Sequence, residues 1–480
     1  MLTNMGISAV IGTIFIVLYS FTTIGLALLV LLENRNPLKT IPWVIVLIFI
    51  PGIGLIVYYF FGRDNRRIRI ISRRIYKRFL KLDHKEIKKQ KQIFNELPGQ
   101  FLPLANLLKN SNYSAIFKGS DVSVFTNGSD MFDVLMEDMR SAQSHIHLQY
   151  YIFQDDVIGN AVRDLLMAKA REGVKIRVIY DDVGSWDTKN SFFQDMKKEN
   201  IEIYPYLKVV FPILTSKVNY RNHRKNVVID GKVGYMGGMN IADRYIGGDR
   251  LGLWRDSHFR ITGPSVNGLQ SAFLLDWYGV SHQLLKGEDY YPELPIYSDM
   301  KMQIAMSGPS SHWRTLMHAY IFIISNAKKY IYIQTPYFLP TEALNQALQM
   351  AALGNIDVRL MIPKRSDTKS AHLATLSYID KMLEAGVKVY LYDRGFLHSK
   401  LLVVDDMMTC FGSANFDFRS FEHNFEINAF VYQRNFAVKM KEIFLQDMRS
   451  CKEVVYSVWR KRPLTERLAE SFMRLFAPLL

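Results

Sequence analysis

The pattern His223-x-Lys225-x-x-x-x-Asp230 recurs, with its spacing intact, at His398-x-Lys400-x-x-x-x-Asp405. Each copy runs on into a small-residue turn and an asparagine: Gly237-Gly238-Met239-Asn240 in the first, Gly412-Ser413-Ala414-Asn415 in the second. The offset from His to Asn is 17 in both. One H-x-K-x4-D is a weak pattern in a long chain. Two copies with matching extensions imply two homologous halves, each supplying part of one phosphate-handling site. A Lys and an Asn amide can bind the non-bridging oxygens of a phosphodiester and stabilise charge developing at phosphorus. A neutral His can attack and form a covalent phospho-enzyme. A second, protonated His can give its proton to the leaving alkoxide and then activate the incoming alcohol. One motif supplies one His, so two complete the set, and with two Lys on the phosphate the scheme calls for no metal and no cofactor. Asp230 and Asp405 are counted with the catalytic residues of the motif. Each follows an apolar strand run (227–229 and 401–404), where a turn-forming role ranks it below His and Lys.

These residues need two matching scaffolds. In the first half, apolar strand-like runs at 146–153 and 174–180 flank a helix near 161–172. The second half repeats the rhythm with 330–338, a helix near 342–352, and 357–362; Gln149 and Gln334 hold equivalent places. The alternation is α/β. Equivalent positions lie 175 to 185 residues apart, the scale of a duplicated domain. Each half should be a mixed sheet flanked by helices, the two facing each other across a pseudo-two-fold axis with the motifs at the interface.

Charge and hydropathy locate the chain. The 480 residues carry a net charge of +15, which points to an anionic partner. Between Arg63 and Gln92 stand 13 Lys and Arg against 3 Asp and Glu, a local excess of +10. That stretch directly follows apolar sequence, as a juxtamembrane region contacting anionic headgroups would. Residues 7–32 form an almost uncharged run long enough to span a bilayer. Residues 41–61 form a second, with Trp43, Tyr58 and Tyr59 as interface anchors and a kink expected at Pro51 and Gly52. The basic flank puts both chain ends in the cytoplasm. Two cysteines, Cys410 and Cys451, imply no disulfide framework, and Cys410 reads as core. The chain's last stretch spaces Leu464, Leu468, Phe472, Leu475 and Phe476 at helical intervals. Such an amphipathic helix suits a membrane interface or packing against the second half.

The duplicated motif with its G-G/S-x-N extension resembles the phospholipase D superfamily over roughly Tyr113 to the C-terminus. With two apolar runs in front, the whole chain is similar to the bacterial cardiolipin synthase family. The resemblance implies two phospholipase D-like α/β/α sandwich domains after a transmembrane hairpin: residues 1–62 as the hairpin, 63–112 as a basic linker, 113–299 and 300–480 as the two domains. It implies phosphatidyl transfer between two phosphatidylglycerol molecules, giving cardiolipin and glycerol at the cytoplasmic membrane, with no nucleic-acid partner. His223 is then the nucleophile and His398 the acid/base, although the symmetry of the halves leaves the order of roles open. Family members place an acid on a neighbouring strand to hold each His, and the matching positions are Asp256 and Glu426. Asn240, Asn415, Gly238 and Ser413 complete the phosphate-binding surroundings. Tyr220, Arg221 and Arg224 flank His223 as headgroup ligands, with Arg419 a weaker candidate. The Pro-containing apolar run 208–214 reads as a loop at the site mouth. The same residues would also serve a hydrolytic phospholipase D or a phosphodiesterase acting on nucleic acid. Two apolar runs gain the latter nothing.

Overall fold

The structure, a computed structural model, describes residues 2–32, 37–50, 53–54, 57–58, 84–209 and 216–480. The chain divides into two compact units, the larger of which contains both copies of the motif.

The smaller unit holds helices Leu2–Leu32 and Pro37–Phe49. The first is 31 residues long. The second is 13 residues long. Trp43 and Tyr58 pack edge to face with centroids 5.5 Å apart, against Leu47. Of the second span expected over 41–61, residues 51–52, 55–56 and 59–61 lie outside the described residues. Among the described residues no helix is long and apolar enough to cross a membrane. Pro51, Gly52, Tyr59 and most of the basic run (63–83) lie outside the described residues, as do 210–215 of the expected loop at the site mouth.

The larger unit contains two mixed sheets with the same strand order. The first runs Asp121–Phe125, His258–Thr262, Val233–Gly237, Asn226–Ile229, His145–Tyr150, Lys175–Asp181, Glu202–Tyr206. Its last three strands are parallel and the others antiparallel. The second repeats this as Lys301–Ser307, Glu426–Val431, Met408–Gly412, Leu401–Val404, Tyr330–Gln334, Asp357–Pro363, Lys388–Tyr392. Ile116–Lys118 and Cys451–Glu453 are added at its two edges. The central strands are buried on both faces, as sheets covered on both sides require, and are mostly apolar, with His145, His147, Gln149, Asn226 and Gln334 as buried polar exceptions.

The sheets share a core. Phe259 stacks on Phe411 with centroids 3.6 Å apart, and Ile261 and Leu269 from the first half join Met302, Ile427 and Val431 from the second. The described end of the supposed basic linker is not a linker. Helices His84–Asn95 and Leu102–Asn112 bury Ile93, Phe94, Leu104 and Leu108 against Leu316, Ile323 and Ile324 of the second half. Their apolar residues recur at helical spacing, which outweighs the surrounding charge.

Asp230 and Asp405 act here, not in chemistry. Each occupies a left-handed turn position, φ 53° and 57°. Each carboxylate accepts three backbone N–H groups at the start of the neighbouring strand: Gln143, Ser144 and His145 at 2.8 Å for Asp230, and Lys328, Lys329 and Tyr330 at 2.7–2.9 Å for Asp405. The motif therefore has its chemical end at His and Lys and a structural clamp at Asp, four residues of strand away. Asp405→Ala should destabilise the fold by about 1–3 kcal/mol through the orphaned donors and the positive φ. Asp405→Asn should cost less. Thermal unfolding checks the order, and equal losses for the two variants would contradict it.

Candidate active site

Two short backbone pairings between the halves set the site. Gly395–Leu397 pairs in parallel with Leu253–Arg255, with Leu397 opposite Arg255, and His398 N–H donates to Arg255 O at 2.8 Å. The next residues along, His398 and Asp256, therefore face each other. On the other side Asn222 bridges in parallel to Phe425, and His223 N–H donates to Phe425 O at 2.9 Å. That brings His223 beside Glu426. The acids expected to hold the histidines do lie against them, but crosswise. His398 Nδ1 is 2.6 Å from Asp256 Oδ2, and His223 Nδ1 is 3.1 Å from both Glu426 oxygens. Each half holds the other's imidazole.

The residues around each His are fixed in turn. Asp181 accepts from Asn222 N–H at 2.8 Å and lies 3.3 Å from Arg221. Arg224 donates to Asp276 at 2.5 Å, to Glu426 O at 3.1 Å and to Ser307 O at 3.0 Å. It clips the halves together and is not among the residues that line the cavity holding both histidines. In the second motif Ser399 Oγ meets Ser257 Oγ at 2.8 Å, and Arg255 grips Asp447 through two nitrogens at 3.0 and 2.7 Å. Gly238 and Ser413 stand at equivalent motif positions with different duties. A Cβ on Gly238 would come within 2.1 Å of the Asp256 carboxylate, whereas Ser413 Oγ donates to Glu426 at 2.5 Å. Lys225 Nζ donates to His223 O at 2.7 Å, and Lys400 Nζ to His398 O.

Both histidines line one cavity of about 420 Å³. Arg221, Asn240, Asn415 and Arg419 line it as well, while Tyr220 does not. Asn240 accepts from Ile152 N–H at 3.1 Å and donates to Tyr245 OH at 2.7 Å, which leaves one amide N–H for a ligand. Asn415 Oδ1 is buried without a hydrogen-bond partner among the described residues. Sequence reasoning missed Arg244, Trp254, Tyr151, Tyr245, Tyr337 and Asp367 on the walls, and Leu479 and Leu480 from the C-terminus. Tyr151 packs edge-on to His223, centroids 5.0 Å apart, and Trp254 lies 5.3 Å from His398. Tyr151 lies within the run expected as a strand over 146–153, just past the observed strand end at Tyr150, and Tyr245 stands five residues after Asn240, so sequence position was the available signal for both.

Burial dominates the electrostatics. It pushes both imidazoles down to about 4, the two Lys ammoniums adding to the effect and the carboxylates opposing it. It also lowers Lys400 to about 8 and Lys225 well below its ordinary value. Burial opposes ionisation of Asp256 and Glu426. For Asp256 the charges of Lys400 and His398 outweigh it, and for Glu426 those of His223 and Lys225, so both acids stay below their ordinary values. Neutral imidazole beside ionised carboxylate assigns the hydrogen to Nδ1 and leaves Nε2 with its lone pair. Lys400 Nζ also lies 2.8 Å from His398 Nδ1. With that ring N–H given to Asp256, the approach is a close contact between charge and ring, not a second hydrogen bond.

Known proteins resemble the chain in both halves. A family described as "Cardiolipin synthase, PLD-like domain" matches residues 135–252 and 320–448, one stretch in each half. A second, "Phospholipase_D-nuclease N-terminal", matches residues 20–63. A cardiolipin synthase of Geobacillus sp. (strain WCH70) is 39% identical over 97% of this chain and 93% of its own. The major cardiolipin synthase of Bacillus subtilis (strain 168) is 39% identical over 99% of this chain and 100% of its own. The crystal structure of phosphatidylserine synthase from Haemophilus influenzae Rd KW20 shares the fold, with a TM-score of 0.61 at 14% identity, over 79% of this chain and 100% of that one.

The neutral histidines make stability depend on pH. Between 6.5 and about 4 the unfolded chain binds a proton at each ring that the folded chain does not. The stability they contribute is complete above pH 6.5 and is lost as pH falls toward about 4. The thermal midpoint of wild type should fall across that window, and His223→Gln with His398→Gln should flatten the slope. An unchanged slope in the double variant would contradict the assignment.

Proposed function

The chain belongs to the cardiolipin synthases of the phospholipase D superfamily, and on that premise we propose how its site makes cardiolipin from two molecules of phosphatidylglycerol. His223 Nε2 attacks the phosphorus of the first. The bond from phosphorus to the glycerol headgroup oxygen breaks, and protonated His398 gives that oxygen its proton. Glycerol leaves and a phosphatidyl-histidine remains on His223. A terminal hydroxyl of the second phosphatidylglycerol then passes its proton to His398 and attacks phosphorus. The phosphorus–nitrogen bond breaks, and cardiolipin is released with both rings restored.

The observation that carries this reading is the crosswise pairing of two neutral imidazoles around one cavity. Each has Nδ1 committed to a carboxylate and Nε2 free, which is the state a nucleophile needs. The difference between the pairs supports the order of roles. Asp256, 2.6 Å from His398, opposes the burial and the Lys400 charge that hold that ring neutral, whereas Glu426 stands 3.1 Å from His223 and is shared with Ser413. A bound phosphodiester anion raises the affinity of His398 for its proton further. Lys225 and Lys400 stand behind the histidines, outside the cavity lining, and supply positive charge to the phosphate, while the free N–H of Asn240 binds an oxygen with Asn415 beside it. Arg221, Arg244 and Arg419 supply charge for the second lipid's phosphate.

The N-terminal apolar runs anchor the chain in the bacterial cell membrane. The catalytic unit lies on the cytoplasmic side, where the basic run 63–92 meets anionic headgroups.

Solubilised protein incubated with phosphatidylglycerol labelled in its headgroup should yield cardiolipin and free glycerol. Phosphatidic acid as the sole lipid product would contradict transfer. Replacing either His by Ala should lower turnover by about 10^4-fold or more. A phosphatidyl-enzyme trapped on His398 in place of His223 would reverse the roles.

A further inference from the structure

The C-terminal helix, Leu464–Arg474, carries an apolar face that the fold leaves open. Its inner side is fully used. Glu470 is buried and paired with Arg462, and Met473, Ala477 and Leu480 pack with Leu339, Ala374 and Tyr378. The outer side presents Leu464, Leu468, Phe472 and Leu475, each at least 60% exposed, and then Leu479 at 44%. Their spacing of four, four, three and four residues makes one continuous stripe. Single exposed apolar side chains are ordinary, but a contiguous stripe of five marks a surface that something covers.

Two features say what covers it. The first is continuity with the cavity. Leu479, which ends the stripe, and its neighbour Leu480 line the cavity wall, and Arg419, another wall residue, donates to Leu480 O at 3.4 Å. Whatever lies on the stripe therefore lies beside the catalytic histidines. The second is charge. Arg460, Lys461, Arg467 and Arg474 surround the stripe and are exposed, against Glu466 alone, since Glu470 is taken by Arg462. An apolar stripe bordered by cations fits an anionic lipid surface.

We propose that this stripe docks the catalytic unit on an anionic bilayer at the place where lipid enters the cavity. The proposal rests on phosphatidylglycerol being the substrate, which the chain must take from a bilayer. It assigns the helix a role in substrate delivery that neither histidine motif requires. Docking buries Leu468 and Phe472 in the acyl boundary while the arginines meet phosphates. Leu479 and Leu480 then form an apolar threshold between bilayer and cavity.

The test uses the full chain carrying Leu468→Glu with Phe472→Glu, and two substrates. Cardiolipin formation from phosphatidylglycerol vesicles should fall by at least about tenfold. Formation from monomeric dihexanoyl-phosphatidylglycerol should be unchanged. Equal rates on vesicles for the variant and wild type would overturn the proposal, as would equal losses on both substrates. A second measurement does not depend on that variant's folding. Phe472→Trp in the full chain, reconstituted with brominated phosphatidylglycerol, should lose more fluorescence than wild type, and no added quenching would overturn the proposal. Crosslinked dimers through Leu468→Cys would also overturn it, by making a second copy the occupant. If wild type makes no cardiolipin from either lipid, the functional reading fails, while the quenching result still decides the docking.

Discussion

The site depends on one constraint: two short backbone pairings between the halves, a three-residue register and a single bridge, which place Asp256 against His398 and Glu426 against His223. Both acids are wholly buried. A buried carboxylate without a partner would be strongly destabilising; each acid takes a hydrogen bond within its own half, Asp256 from Ser257 N–H and Glu426 from Ser413 Oγ, but its imidazole partner comes from the other half. Docking the halves and assembling the catalytic pairs are one event. The Phe259–Phe411 stack and the apolar core around it supply the adhesion, while Arg224 and Arg255, each next to a catalytic residue, reach across to lock the registers.

That crossing was not legible in the chain. The duplicated His, Lys and Asn were, because phosphoryl transfer restricts residue types and a repeat preserves their spacing. Asp256 and Glu426 could be picked out as acids in strand-like surroundings. Which His each would meet depends on parallel pairing of segments more than 140 residues apart, and no local pattern encodes that. Arg224 misled for a related reason. Adjacent to His223, it looked like a ligand, but its guanidinium is used up on Asp276 and on two carbonyls of the other half. At the N-terminal side, helical spacing in 84–112 was present but hidden under charge.

The two halves are alike in fold and unlike in detail. Gly238 leaves room for Asp256, whereas its counterpart Ser413 shares Glu426 with His223. A reaction that uses two histidines in turn needs such a difference. One ring must stay neutral and attack, and the other must carry a proton out and back. The duplication provides symmetric placement around phosphorus, and small substitutions at equivalent positions then separate the roles.

The most direct measurement is an experimental structure of the full chain with vanadate bound. The account predicts one vanadate in the shared cavity, coordinated by Nε2 of one histidine with Nε2 of the other on its far side, and each Nδ1 on the opposite half's acid. Two separate vanadates, or imidazoles facing different clefts, would contradict it.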